Sequence, residues 1–119
     1  MTATNSVRQI DPALLGDAIR AAANWLDEHN GASREELGLR VMKVAEEAGE
    51  AIQAWIGVTG QNPRKGFTHS HADVAAELAD VAFAALVAIE SLNGDAVEEL
   101  YGVAGRLLCR MAYVGEVRS

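Results

Sequence analysis

The chain has a single cysteine, Cys109, only two prolines, and six aromatic residues among 119. One thiol excludes an internal disulfide, and no charged start followed by an apolar stretch and a small-residue cleavage site opens the sequence, so the chain reads as cytosolic. Its longest uninterrupted apolar run, Val81 to Ile89, falls far short of the roughly 20 residues that cross a bilayer, which excludes a membrane span. Cations are also scarce: ten Lys and Arg face 17 Asp and Glu, a net charge of -7. That balance argues against a nonspecific nucleic-acid binder, which needs a basic surface to displace counterions. An acidic protein that handles phosphates needs a cation as intermediary.

What remains is aliphatic. Half of the residues are hydrophobic but only 5% are aromatic, and recurrent Ala with few aromatics suits close helix packing. Four helices follow from their start and stop signals. Asp11 caps the first, with Pro12 at its first position, and Asn30-Gly31 ends it. Ser33 with Glu36 opens the second, which carries Leu37, Val41, Val44, Ala48, Ile52 and Trp55 on one face and ends near Gly57. Ser70 with Asp73 opens the third, which stops at Asn93-Gly94; Asp95 with Glu98 opens the fourth, which runs to about Tyr113. Short connections favour antiparallel neighbours, so the expected architecture is all-α, a four-helix bundle or a close variant. Residues 1–10 are read as a flexible segment ahead of one domain, 11–119. The one long loop runs from Gly57 to His69 and contains Arg64-Lys65.

Residues three apart on a helix are surface neighbours, so Glu47 with Glu50 and Glu77 with Asp80 form two carboxylate pairs on consecutive helices. Facing each other, the pairs would gather four hard oxygen donors around a small volume, which suits Mg²⁺ or Mn²⁺. A solvated surface is the competing reading for the second helix, where Lys43 is in reach of Glu46 and Glu47. The third helix is different, because Asp80 is followed by nine apolar residues covering its whole circumference, the mark of a buried helix. Carboxylates leaving such a helix need a partner, since unpaired buried charge is costly.

The pattern Glu46-Glu47-x-x-Glu50, a gap of 26 residues, and Glu77-x-x-Asp80 resembles the signature of the MazG-like, all-alpha nucleoside triphosphate pyrophosphohydrolases. The strings Lys43-Val-Ala-Glu-Glu-Ala-Gly-Glu50 and Glu77-Leu-Ala-Asp-Val81 look like that family's second and third helices. The stretch Gly60-Gln-Asn-Pro-Arg-Lys-Gly66 looks like the loop of a short, single-domain subgroup. The resemblance covers roughly Glu35 to Gly94. It implies a MazG-type helical fold completed by oligomerisation into a homodimer or homotetramer. It also implies Mg²⁺ held by Glu47, Glu50, Glu77 and Asp80, with Glu46 on the periphery; among these glutamates Glu47 is a candidate for the base that activates the attacking water. The activity implied is hydrolysis of a nucleoside or deoxynucleoside triphosphate between the α- and β-phosphates, a nucleotide-pool house-cleaning reaction. One departure stands out: many members carry a polar side chain one or two turns beyond the final Asp, and here that stretch is apolar.

Other features carry less. Arg64 and Lys65 either clamp phosphate oxygens or sit solvated in a turn made by Asn62-Pro63. Trp25 and Trp55 lie on apolar helix faces, which reads as core packing rather than base stacking. His69 and His71 lack the further ligands of a zinc site. There is no Walker-type glycine loop and no Ser or Cys nucleophile arrangement, and Glu50 and Asp80 stand where a di-iron bundle would place His three residues after a Glu. The alternative from another class is a non-catalytic helical interaction or nucleotide-binding regulatory module.

Overall fold

The computed structural model describes residues 9–118, so most of the segment expected to be flexible lies outside the described residues; Gln9 and Ile10 carry no regular structure. A 3-10 turn, Pro12–Leu14, leads into α1 (Leu15–Asn30), followed by α2 (Arg34–Thr59), α3 (His71–Ser91) and α4 (Ala96–Arg118). Among the described residues there is no strand, and no helix is long and apolar enough to cross a membrane.

Ser70 and Asp95 act as read, whereas Asp11 caps the 3-10 turn ahead of α1, and Ser33 caps α2 without a returning bond from Glu36, whose carboxylate accepts from Asn30. Asp11 accepts from the Ala13 N–H at 2.9 Å, and Ser33 Oγ accepts from the Glu36 N–H at 3.2 Å. Ser70 and Asp73 close a reciprocal capping box at α3. Two ends differ from expectation. α2 does not stop at Gly57 but continues to Thr59, where Gly60 takes a left-handed conformation with φ 65°. Gly57 serves close approach instead: the returning loop donates the Thr68 N–H to its carbonyl at 2.9 Å, and a side chain at Gly57 would collide with Thr68 and His69. α4 also runs past Tyr113 to Arg118.

α2 and α3 form the main packed pair, and α1 covers α3. The buried face of α2 is not the expected aliphatic stripe. Arg40, Ala51, Ala54 and Gly57 are buried, while Val41, Ile52 and Trp55 are about half exposed or more. Small residues take the buried positions of α2, and Ile52 and Trp55 are left at an open edge beside Val74, Leu78 and Val81 of α3. Both tryptophans depart from the core reading: Trp25 is 57% exposed and Trp55 51%, and each stacks on a histidine, His29 and His71. α3 is buried only in its second half, at Leu86, Val87 and Ala88; Leu78 and Phe83 remain open.

A small core of Ile19, Leu86 and Ala96, flanked by Ile89 and Val97, ties α1, α3 and the start of α4. Beyond Val97, every described residue of α4 except Gly102 is exposed. Three helices therefore pack within the chain, and α4 does not supply the fourth wall of a bundle. The radius of gyration, 18.4 Å, compares with about 13.5 Å for a compact domain of this length. The accessible surface, 9366 Å², is about half again the ~6,200 Å² expected for a compact monomer of this mass.

Candidate metal centre

Glu47 lies on the side of α2 that faces α3, and Glu77 and Asp80 lie one turn apart on α3. One carboxylate oxygen from each falls within 4.8 Å of the others. Among the described residues no other group of His, Cys, Asp or Glu side chains gathers in this way. Oxygen-only donors of this kind fit a hard divalent cation such as Mg²⁺ or Mn²⁺. Glu77 Oε2 is buried without a hydrogen-bond partner. A buried carboxylate oxygen left unpaired is costly, and a cation at this point would satisfy it.

Glu50, read as a fourth ligand, is exposed and stands outside the close trio. It is still within the field of the cluster: the Glu47 carboxylate above all, then desolvation and the Glu77 carboxylate, push the Glu50 carboxyl above its ordinary range. Glu46 is peripheral. Its side chain points largely to solvent and pairs with Lys43 at 3.6 Å. Lys43 also reaches Glu47 at 3.4 Å, and the two glutamates, Glu47 first, raise its pKa.

Beside the trio, a cavity of about 600 Å³ opens between α1, α2 and α3. Glu47 and Asp80 line it together with Trp25, Leu26 and Phe83, so acid oxygens and aromatic faces share one wall-to-wall space. Arg40 and Lys43 add positive charge to its lining. Arg40 is 5% exposed and acts as a tie between three elements. Its Nη1 donates to Asp27 Oδ1 at 2.7 Å and Ser91 Oγ at 3.1 Å, and its Nη2 donates to the Gly31 carbonyl at 2.8 Å. This role was not read from the sequence. The signal available was weak: Arg40 sits seven residues before Glu47, two turns away on one face of α2.

Arg64 and Lys65 are not brought to the carboxylates. Their loop follows the end of α2, and Glu47 and Thr59 are separated by twelve residues, about 18 Å along the helix axis. Asn62 organises that loop, accepting from the Arg64 N–H at its side chain and from the Lys65 and Gly66 N–H groups at its carbonyl. Lys65 lines a separate pocket with His69 and Gln53. His69 is engaged with Thr68 Oγ1, and neither it nor His71 approaches the carboxylate trio. No family model, curated protein or solved structure matches the chain.

Proposed function

We propose that the chain is a Mg²⁺-dependent hydrolase that cleaves a nucleoside triphosphate to the monophosphate and pyrophosphate. The observation that carries this reading is the meeting of Glu47, Glu77 and Asp80 oxygens within 4.8 Å on the wall of a cavity of about 600 Å³ lined by Trp25 and Phe83. The volume lies in the range of pockets that hold drug-sized ligands. A planar base has aromatic faces to lie against, and the phosphate chain would extend to the acids.

Glu47, Glu77 and Asp80 would hold the cation, with Glu50 beside them as the fourth acid of the ring. Bound there, Mg²⁺ would supply neutralisation of the triphosphate and alignment of the phosphate chain for in-line attack. Glu47 belongs both to the trio and to the cavity lining, which suits it to accept the proton of the attacking water. Lys43, 3.4 Å from Glu47, holds that carboxylate in place. Phe83, Ala84 and Val87 beyond Asp80 give the cavity an apolar wall, where many members of the resembling family carry a polar group.

The same reading makes the working unit a homodimer or homotetramer, supported by the accessible surface in excess of a compact monomer. A panel of ribo- and deoxynucleoside triphosphates, assayed for pyrophosphate with and without Mg²⁺, tests the proposal. Turnover should require Mg²⁺ and disappear in Asp80→Ala. The exposed stripe formed by Ile52, Trp55 and Leu78 favours a second reading, a metal-free interaction module. That reading predicts no turnover of any triphosphate and no change of melting temperature on adding Mg²⁺.

A further inference from the structure

A triphosphate in this cavity needs a positive side chain for the phosphate oxygens that a metal ion does not cover. A divalent cation offsets fewer charges than the three acids of the trio carry, so the loaded site still repels an anionic ligand. Arg64 and Lys65 lie beyond the end of α2. Among the described residues that line the cavity, the cations are Arg40 and Lys43. Arg40 is committed to the fold: it is buried, and both of its terminal nitrogens already donate to Asp27, Ser91 and Gly31.

Lys43 is held differently. Its Nζ stands 3.4 Å from Glu47 and 3.6 Å from Glu46, both longer than the about 2.7–2.9 Å of a charge-assisted hydrogen bond. Its side chain is 54% exposed. A lysine carries a compact charge on a flexible four-carbon stem, so this ammonium can change partners by rotation about its own bonds while α2 stays fixed. The carboxylate that it neutralises, Glu47, is also a member of the trio and of the cavity wall. Ammonium and metal ion therefore compete for Glu47, and like charges beside one carboxylate repel. An ammonium displaced from Glu47 has the cavity, and any phosphate within it, as its nearest new partner.

We propose that Lys43 is a substrate-binding residue that exchanges partners: it neutralises Glu47 in the metal-free site and turns to the phosphate chain of the triphosphate once a cation holds that carboxylate. The inference rests on the reading of the trio and cavity as a Mg²⁺-dependent triphosphate site. One positive charge then serves the site twice, limiting repulsion among the acids before loading and between acids and substrate after it.

The exchange gives Lys43→Gln two effects of opposite sign, both measurable on the full chain by isothermal titration calorimetry without turnover. With its competitor removed, Mg²⁺ alone should bind about threefold more tightly, the scale of one partly exposed ion pair. A nucleoside triphosphate carrying an imido bridge between the α- and β-phosphates, at saturating Mg²⁺, should bind about tenfold more weakly, the scale of one hydrogen bond to a charged group. Lys43→Arg keeps the charge and should keep the triphosphate affinity within about threefold of the wild type. Weaker Mg²⁺ binding in Lys43→Gln would make the lysine a support for the metal ligand and overturn the exchange. Unchanged triphosphate affinity in that variant would overturn the phosphate contact while leaving the metal-site reading intact. A wild type that binds no Mg²⁺ overturns that reading, and this inference with it.

Discussion

Replacing Glu77 by Gln should make the protein more stable without Mg²⁺ and less stable with it. The side chain keeps its size, so packing between α2 and α3 is preserved, while one of three mutually repelling charges is removed. Each neighbour within 4.8 Å costs about 3 kcal/mol at an effective dielectric constant of 20. Water at exposed Asp80 and the Lys43 ammonium 3.4 Å from Glu47 offset most of this, leaving a gain of about 1–2 kcal/mol for the variant. In a domain of this size that corresponds to a melting temperature about 4–10 °C higher in EDTA. Mg²⁺ at a hundredfold excess over its dissociation constant stabilises the wild type by about 2.7 kcal/mol, and Glu77→Gln should lose most of that. Differential scanning calorimetry in EDTA and in Mg²⁺ should thus show the two melting temperatures changing order. If the variant melts below the wild type in EDTA, and Mg²⁺ raises both equally, the three acids do not form a cation site.

Arg40→Met should destabilise the fold by about 2–4 kcal/mol in urea unfolding, because Asp27, Ser91 and the Gly31 carbonyl lose their shared donor; a loss below 0.5 kcal/mol, roughly the scale of a surface substitution, would refute the tie. The Glu50 carboxyl is raised in the folded state by Glu47 above all, so its ionisation opposes folding. Its unfavourable contribution is absent below the unfolded value and grows as pH rises through the folded one. Metal-free melting temperature should accordingly fall over that interval in the wild type and fall less in Glu50→Gln; equal slopes would count against the repulsion. Replacing Arg64 and Lys65 together by Ala should leave kcat/KM within about twofold, given their distance from the acids in this chain. A drop of tenfold or more would mean that another copy brings this loop to the site.

Local signals carried the secondary structure, because each depends on a few adjacent atoms. Asp11, Ser33 and Ser70 cap helices through their own oxygens, and Asn93-Gly94 ends α3 with Asn93 in a positive-φ conformation, φ 64°. Glu47, Glu77 and Asp80 were legible for a related reason: helical spacing sets two of them on one face, and the packing of α3 along α2 brings the third across. Helix facing was not legible. Burial usually follows bulk, yet on α2 the buried positions go to Ala51, Ala54 and Gly57, the last against the returning loop, while Ile52 and Trp55 stay about half exposed or more. Exposed Trp25 and the cavity it lines follow from α1 crossing α3 and leaving α2 at a distance, a tertiary arrangement that periodicity does not encode. Arg40 joins residues 13 and 51 positions away, and nothing in the local sequence announces such a contact. Bulk outside the core on α2 and α4 is a property of a chain whose apolar surface exceeds what its own three packed helices hide.

The most direct test follows the oxygen atom delivered to the product. Hydrolysis of a nucleoside triphosphate in water enriched in heavy oxygen, with Mg²⁺ present, should place the label in the nucleoside monophosphate and leave pyrophosphate unlabelled, because the proposed attack is at the α-phosphorus. Mass spectrometry of the first products reads this directly. Orthophosphate and a nucleoside diphosphate as first products, or label in the pyrophosphate, would contradict the account even if Glu47, Glu77 and Asp80 proved to bind the metal.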